Sequence, residues 1–151
     1  MVTLIGMGSG SWEALSVQAQ DAVRRAGLVF GAKRLLAGLP PECTARQFAL
    51  YQPAEILETL AQAPGQDAAV LYSGDTGFYS GASGLLTPLR ALGIPARVYP
   101  GVSSIQLLAA ALGRPWQDWK LVSAHGCACD PVAECMTERS VFFLTGGAET
   151  P

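Results

Sequence analysis

The residues best suited to chemistry sit in three short glycine- and hydroxyl-rich stretches, each directly behind an apolar run. The densest is Ser73-Gly74-Asp75-Thr76-Gly77-Phe78-Tyr79-Ser80, which combines a carboxylate, hydroxyls, flexible glycines and two aromatic rings. Glycine lets backbone approach a ligand closely, and the carboxylate of Asp75 can accept hydrogen bonds or move a proton. The same stretch also reads as an Asp-containing turn that caps the next helix. Gly6-Met7-Gly8-Ser9-Gly10-Ser11 and Pro100-Gly101-Val102-Ser103-Ser104 are the other two stretches, and alone they are equally a tight strand-to-helix turn and a helix N-cap.

Several familiar chemistries lack their residues. A dinucleotide site wants G-x-G-x-x-G with an acid near the end of the second strand, yet position 11 is Ser and Lys33-Arg34 occupies the acid's place. No glycine is followed by lysine, so a phosphate-cradling P-loop is missing. His125 with Cys127, Cys129 and Cys135 spells H-x-C-x-C-x5-C, a poor match to the paired spacing of zinc ligands, and we expect incidental thiols and no metal. No Ser-His-Asp or Cys-His arrangement stands out, so covalent catalysis is not the expectation.

Composition narrows the class further. A formal charge of −2 from sparse, mixed residues offers no basic stripe for nucleic acid. No apolar run approaches the roughly 20 residues of a membrane span, and the apolar start lacks a charged leader, so a cytoplasmic protein is expected. Without an export signal the four cysteines do not imply disulfides.

The elements that must position the three stretches follow from periodicity. Strands are expected at Val2 to Ile5, Leu28 to Phe30, Ala68 to Tyr72, Arg97 to Tyr99, Leu121 to Ala124 and Val141 to Leu144, with a minor one at Gln47 to Leu50. Helices are expected from Ser16 to Ala26, with Val17, Ala22 and Val23 on its apolar side, through Leu36, from Pro53 to about Gln62, from about Ser80 to Leu92, and from Ser103 to Leu112. Alternation of this kind predicts an α/β protein with a mainly parallel sheet covered on both faces and ligand loops beyond the strands' carboxyl ends. We expect one domain over 1–115 and the beginning of a second α/β domain over 116–151, too short to close a core of its own.

The opening loop, S-G-D-T-G-F-Y-S, Y-P-G-V-S-S-I-Q, Pro115-Trp116 and S-A-H-G at Ser123 to Gly126 occur together and in order. In this combination, from Val2 to Thr150, the chain resembles the tetrapyrrole (corrin/porphyrin) methylase family. Within it the likeness is to precorrin C5-methyltransferases, both the separate C5-methylating subunit and the N-terminal half of the fused C5,15 enzyme. The resemblance implies the tetrapyrrole methylase fold, S-adenosylmethionine as cofactor, a precorrin of cobalamin biosynthesis as substrate, and no metal. It also implies a homodimer and a decarboxylating C15-methyltransferase partner, fused or separate.

By the same likeness Gly74, Asp75 and Thr76 border the cofactor, Ser103 and Ser104 help enclose it, and Leu144-Thr145-Gly146 supply a second wall. Gly8, Ser9 and Gly10 face the substrate, and His125 either borders it or is a structural histidine. Asp75 is the candidate catalytic residue, either positioning the cofactor or assisting proton loss. A precorrin carries many carboxylates, which makes Lys33, Arg34 and Arg114 candidate cations, against the reading of each as an ordinary solvated charge. The chain departs from the family at Thr76, where relatives carry Pro, at Cys127, where they commonly carry Arg, and in ending before its relatives do. A non-catalytic remnant, or a methylase for another ring carbon, are the competing expectations.

Overall fold

The computed structural model describes residues 1–125 and 128–145. It divides into two compact units, Met1–Ser103 and Ser104–Pro151, so the helix that opens at Ser104 goes with the second.

The first unit is built on β1 (Val2–Gly6), β2 (Leu28–Phe30), β3 (Arg46–Phe48), β4 (Ala68–Tyr72) and β5 (Ala96–Tyr99). All pair in parallel, in the order β3-β2-β4-β1-β5. The central strands are apolar at almost every position because both faces are covered, and their side chains alternate between two cores. Leu4, Leu28, Phe30, Ala68 and Val70 enter one core with Ile56, Leu85 and Leu89. Ile5, Val29, Ala69 and Leu71 enter the other with Ala19, Val23 and Leu35. Phe30 is fully buried and stacks on Phe48 with ring centroids 5.2 Å apart; its burial alone contributes about 1.5–3 kcal/mol.

Helix placement follows from handedness. The connections β1 to β2 and β2 to β3 run toward one edge of the sheet, whereas β3 to β4 and β4 to β5 run toward the other. Right-handed crossovers therefore put α1 (Val17–Arg25) and α2 (Lys33–Leu36) on one face, and α3 (Pro53–Ala61) and α4 (Ala82–Ala91) on the opposite face, as the two cores record. β1 and β4 are neighbours whose chains leave in opposite directions, which makes their carboxyl ends the switch point where sheets of this kind hold ligands.

Helix α1 begins where Ser16 accepts a hydrogen bond from Ala19 N at 3.3 Å. Its buried stripe is Ala19 and Val23, one turn apart, with Ala22 packed beside it. Val17 corrects the expectation: it is the first helical residue, lies far around the axis from that stripe, and is 68% exposed.

The second unit contains α5 (Ser104–Leu112), β6 (Lys120–Ala124), α6 (Pro131–Cys135) and β7 (Val141–Thr145). β6 and β7 pair in parallel from Lys120 opposite Val141 to Ala124 opposite Thr145. Helix α6 was not expected; Asp130 caps it by accepting from Val132 N and Ala133 N, and Pro131 holds its first turn. Lys120 Nζ pairs with Glu134 at 2.7 Å, and Arg139 donates to the carbonyls of Asp118 and Trp119 at 2.7 and 3.1 Å. These contacts tie α6 and the turn before β7 to β6.

Candidate functional site

The carboxyl ends of β1 and β4 are joined by backbone. Met7 N donates to Tyr72 O at 2.8 Å, and then Gly8 and Gly74 exchange hydrogen bonds of 3.1 and 2.9 Å. Both glycines are left-handed, with φ of 57° and 63°, a conformation that costs an ordinary residue about 1–2 kcal/mol. Beneath them β1 and the loop after β5 touch almost without side chains. A Cβ on Gly6 would lie 2.6 Å from Gly101 N, and one on Gly101 would collide with the carbonyl oxygens of Gly74 and Gly6. The three glycine-rich stretches of the sequence thus meet at one place.

Asp75 holds two of them together. Its Oδ1 accepts from Gly101 N at 3.1 Å, across 26 residues of chain, and its Oδ2 accepts from Gly77 N at 2.9 Å. A carboxylate engaged at both oxygens fixes the loop after β4 against the loop after β5, and hydrogen bonds to a charged acceptor are each worth about 1.5–3 kcal/mol. Thr76 adds a second tie, its hydroxyl donating to Tyr99 O at 3.4 Å. A proline here would fix φ but could not make that bond.

Around this base lie the other expected residues of the unit. Ser103 is buried, and its Cα lies 3.8 Å from where a Cβ of Gly74 would stand. Ser9 is exposed on a turn closed by Gly10 N donating to Met7 O at 2.9 Å. Arg34, exposed on α2, donates from Nη2 to Ser73 Oγ, and its Nη1 is 3.9 Å from the Cβ position of Gly10. The ends of β2 and β4, neighbours in the sheet, are thereby linked by one guanidinium.

Two residues carry features that the sequence did not disclose. Tyr72 buries its hydroxyl without a hydrogen-bond partner among the described residues, and burial pushes its pKa up to about 12. Tyr79 has a left-handed φ of 47° while 53% exposed, and its ring meets Phe78 edge-on with centroids 4.8 Å apart. A strained, exposed aromatic is a signal only coordinates give.

In the second unit, Ser104 is exposed at the start of α5. His125 is exposed directly behind β6, while Leu144 is half-buried and Thr145 exposed at the end of β7. Because Ala124 pairs with Thr145, the carboxyl ends of both strands leave the same edge of this small sheet. Gly126, Cys127 and Gly146 lie outside the described residues. Cys43, Cys129 and Cys135 are free thiols, and no group of metal-ligating side chains occurs among the described residues. Lys33 and Arg114 are exposed.

The residue pattern of the Tetrapyrrole (Corrin/Porphyrin) Methylases matches residues 1–147. The chain belongs to that family. Among its methylase relatives, the cobalt-precorrin-7 C(5)-methyltransferase of Salmonella typhimurium is 32% identical over 147 residues, 96% of this chain and 71% of that enzyme. The decarboxylating precorrin-6Y C(5,15)-methyltransferase of a Sinorhizobium species is 32% identical over 133 residues, 87% of this chain and 32% of that enzyme. Among solved structures, the methyltransferase CobJ superimposes with a TM-score of 0.70 at 25% identity, covering 87% of this chain and 57% of that one. The α/β fold with its parallel sheet is therefore that of the tetrapyrrole methylases.

Proposed function

We propose that this chain carries the cofactor-binding part of an S-adenosylmethionine-dependent C-methyltransferase acting at C5 of a precorrin in cobalamin biosynthesis. The observation that carries the reading is the joined carboxyl edge, Gly8 against Gly74 with Asp75 clamping Gly101, in a chain that matches a C(5)-methyltransferase over 96% of its length. The edge fits such a cofactor. Paired left-handed glycines leave backbone bare of Cβ, and the carboxylate of Asp75 beside them is already satisfied by backbone.

Gly74, Asp75, Thr76 and Ser103 would border the cofactor, with Ser104, Leu144 and Thr145 contributed by the second unit. Gly8, Ser9, Gly10, Arg34 and His125 would face the substrate. When bound, the sulfonium supplies an already activated methyl group. The protein then needs mainly to align it with an electron-rich ring carbon, and proximity and orientation can supply about 7–11 kcal/mol of such a step. Asp75 acts in this reading by fixing loop geometry; its engaged oxygens argue for positioning over proton transfer.

The domain boundary proposed from the sequence, 1–115 followed by the beginning of a second domain over 116–151, goes with this reading. So do a homodimer, a cytoplasmic location and a decarboxylating C15-methyltransferase partner, fused or separate; the homodimer rests on the family resemblance, the location on the apolar pattern of the sequence, and the partner is suggested by the name of the Sinorhizobium enzyme.

The test is calorimetric titration of the chain with S-adenosylhomocysteine, followed by transfer of a 13C-methyl group to a precorrin and assignment of the labelled carbon by NMR. Saturable binding and a label at C5 are expected. A label at another ring carbon would replace the position and keep the enzyme class, whereas no binding by folded protein would sink the reading.

A further inference from the structure

We propose that Thr3, Arg25, Arg97 and Tyr99 form a binding site for a phosphate group on the α1 face of the sheet, toward the amino ends of its strands. The inference is independent of the methylase reading: Thr3 precedes Gly6 by three residues, about 10 Å along the strand, and none of these four side chains has a part in that reading.

Strand register assembles the site. Thr3 lies opposite Arg97 across β1 and β5, and Tyr99, two residues further along, falls on the same face as Arg97. A pocket of about 10 Å³ opens here, lined by all four residues together with Met1 and Asp67. It has room for one water-sized atom.

Three observations define its chemistry. Thr3 is 4% exposed, and no described hydrogen bond engages its hydroxyl. Arg25, exposed at the end of α1, makes no described hydrogen bond or ion pair, while Arg97, exposed on β5, donates to Tyr99 Oη at 3.3 Å. The acid among the lining residues, Asp67, is paired with the Met1 ammonium at 2.7 Å, so the positive charge of both arginines is left uncompensated. A water molecule would satisfy Thr3 and leave that charge unmatched, whereas a phosphate oxygen satisfies both. Tyr99, accepting from Arg97, keeps its own proton to donate. One phosphate oxygen fills the pocket and accepts from the two hydroxyls, and the remaining oxygens meet the guanidiniums, whose planar forks suit phosphate. Bound phosphate thereby joins the end of α1 to β5, the last strand of the sheet.

The experiment titrates the 15N-labelled full chain with inorganic phosphate and, separately, with chloride at equal ionic strength, following amide shifts by NMR. Saturable phosphate shifts centred on Thr3, Arg25 and Arg97 are expected, and weaker binding of chloride. Thr3→Val should weaken phosphate binding about 10-fold, through one lost hydrogen bond to a charged acceptor, and Thr3→Ser should restore it. Arg25→Ala and Arg97→Ala should each weaken it about 3-fold, as exposed charges do, whereas Arg90→Ala, at another exposed arginine at the end of α4, should leave it unchanged. A dispersed amide spectrum reports the fold of each variant. Equal affinity for adenosine monophosphate marks phosphate itself as the ligand and tighter binding marks a phosphate ester; either supports the site. Shifts that do not saturate, equal binding of chloride, unchanged affinity in folded Thr3→Val, or the same loss in Arg90→Ala as in Arg25→Ala would each overturn it.

Discussion

The two edges of the five-stranded sheet use glycine for different reasons. At the carboxyl edge Gly6 and Gly101 are small because backbone meets backbone, and a Cβ on either would enter a neighbour's atoms. At the amino edge Gly65 and Gly93 have φ of 80° and 66° with nothing within 4 Å of an added Cβ. There glycine only ends a helix: Gly93 N donates to Arg90 O at 3.1 Å and Ile94 N to Leu89 O at 2.9 Å, closing α4. The amino edge also has a groove of about 390 Å³ lined by apolar side chains including Leu57, Leu60, Leu92 and Ile94. Its polar counterpart at the other edge is bare backbone with Arg34, Ser73 and Asp75. One residue type therefore marks close approach at the site and conformational relief away from it.

Substitutions can break that contrast in graded steps. Gly101→Ala should have the largest effect, a loss of about 3 kcal/mol or more, because the colliding atoms are backbone and cannot swing aside; chemical denaturation measures it, and a loss under 1 kcal/mol would refute the packing account. Asp75→Ala should cost about 2 kcal/mol, less than two charged hydrogen bonds in full because the exposed Gly77 amide can turn to water when the acceptor is lost. Proton exchange at the Gly77 and Gly101 amides should rise together in that variant, as only a shared clamp requires.

Gly93→Ala should cost about 1 kcal/mol, from backbone conformation alone. Tyr72→Phe should have the smallest effect at neutral pH, a change of less than about 1 kcal/mol toward greater stability, because it removes an unpaired buried hydroxyl. It should act more visibly in alkali. Burial raises the folded-state pKa of Tyr72 from 10.0 to about 12, so its contribution to stability is fully present below pH 10 and is lost as pH rises toward 12. The phenylalanine variant should lack that part of the alkaline decline.

Much of this architecture was legible from the chain. β1, β2 and β4 are short apolar runs ended by Gly or Ser, and Pro53 and Ser16 mark helix starts by mechanisms that act within one turn. Helix α6 escaped notice because five residues give too little periodicity, although Asp130-Pro131 carried its cap. Val17 was misplaced because an apolar residue at a helix's first position satisfies the pattern without reaching the core. Strand order was illegible: parallel neighbours are joined through crossovers, and no local residue records that β4 inserts between β2 and β1. The same reason hid the contact of Arg34 with Ser73, while the three loops themselves were visible as glycine-rich breaks.

The account turns on the carboxyl edge being the ligand site, and calorimetric titration with S-adenosylhomocysteine of wild type, Asp75→Ala and Gly93→Ala tests it most directly. We expect saturable binding by wild type, an affinity at least about 10-fold weaker in Asp75→Ala, from the loss of a clamp worth about 1.5–3 kcal/mol per charged hydrogen bond, and no change in Gly93→Ala. Equal affinity in the two folded variants, or weaker binding in Gly93→Ala alone, would contradict it.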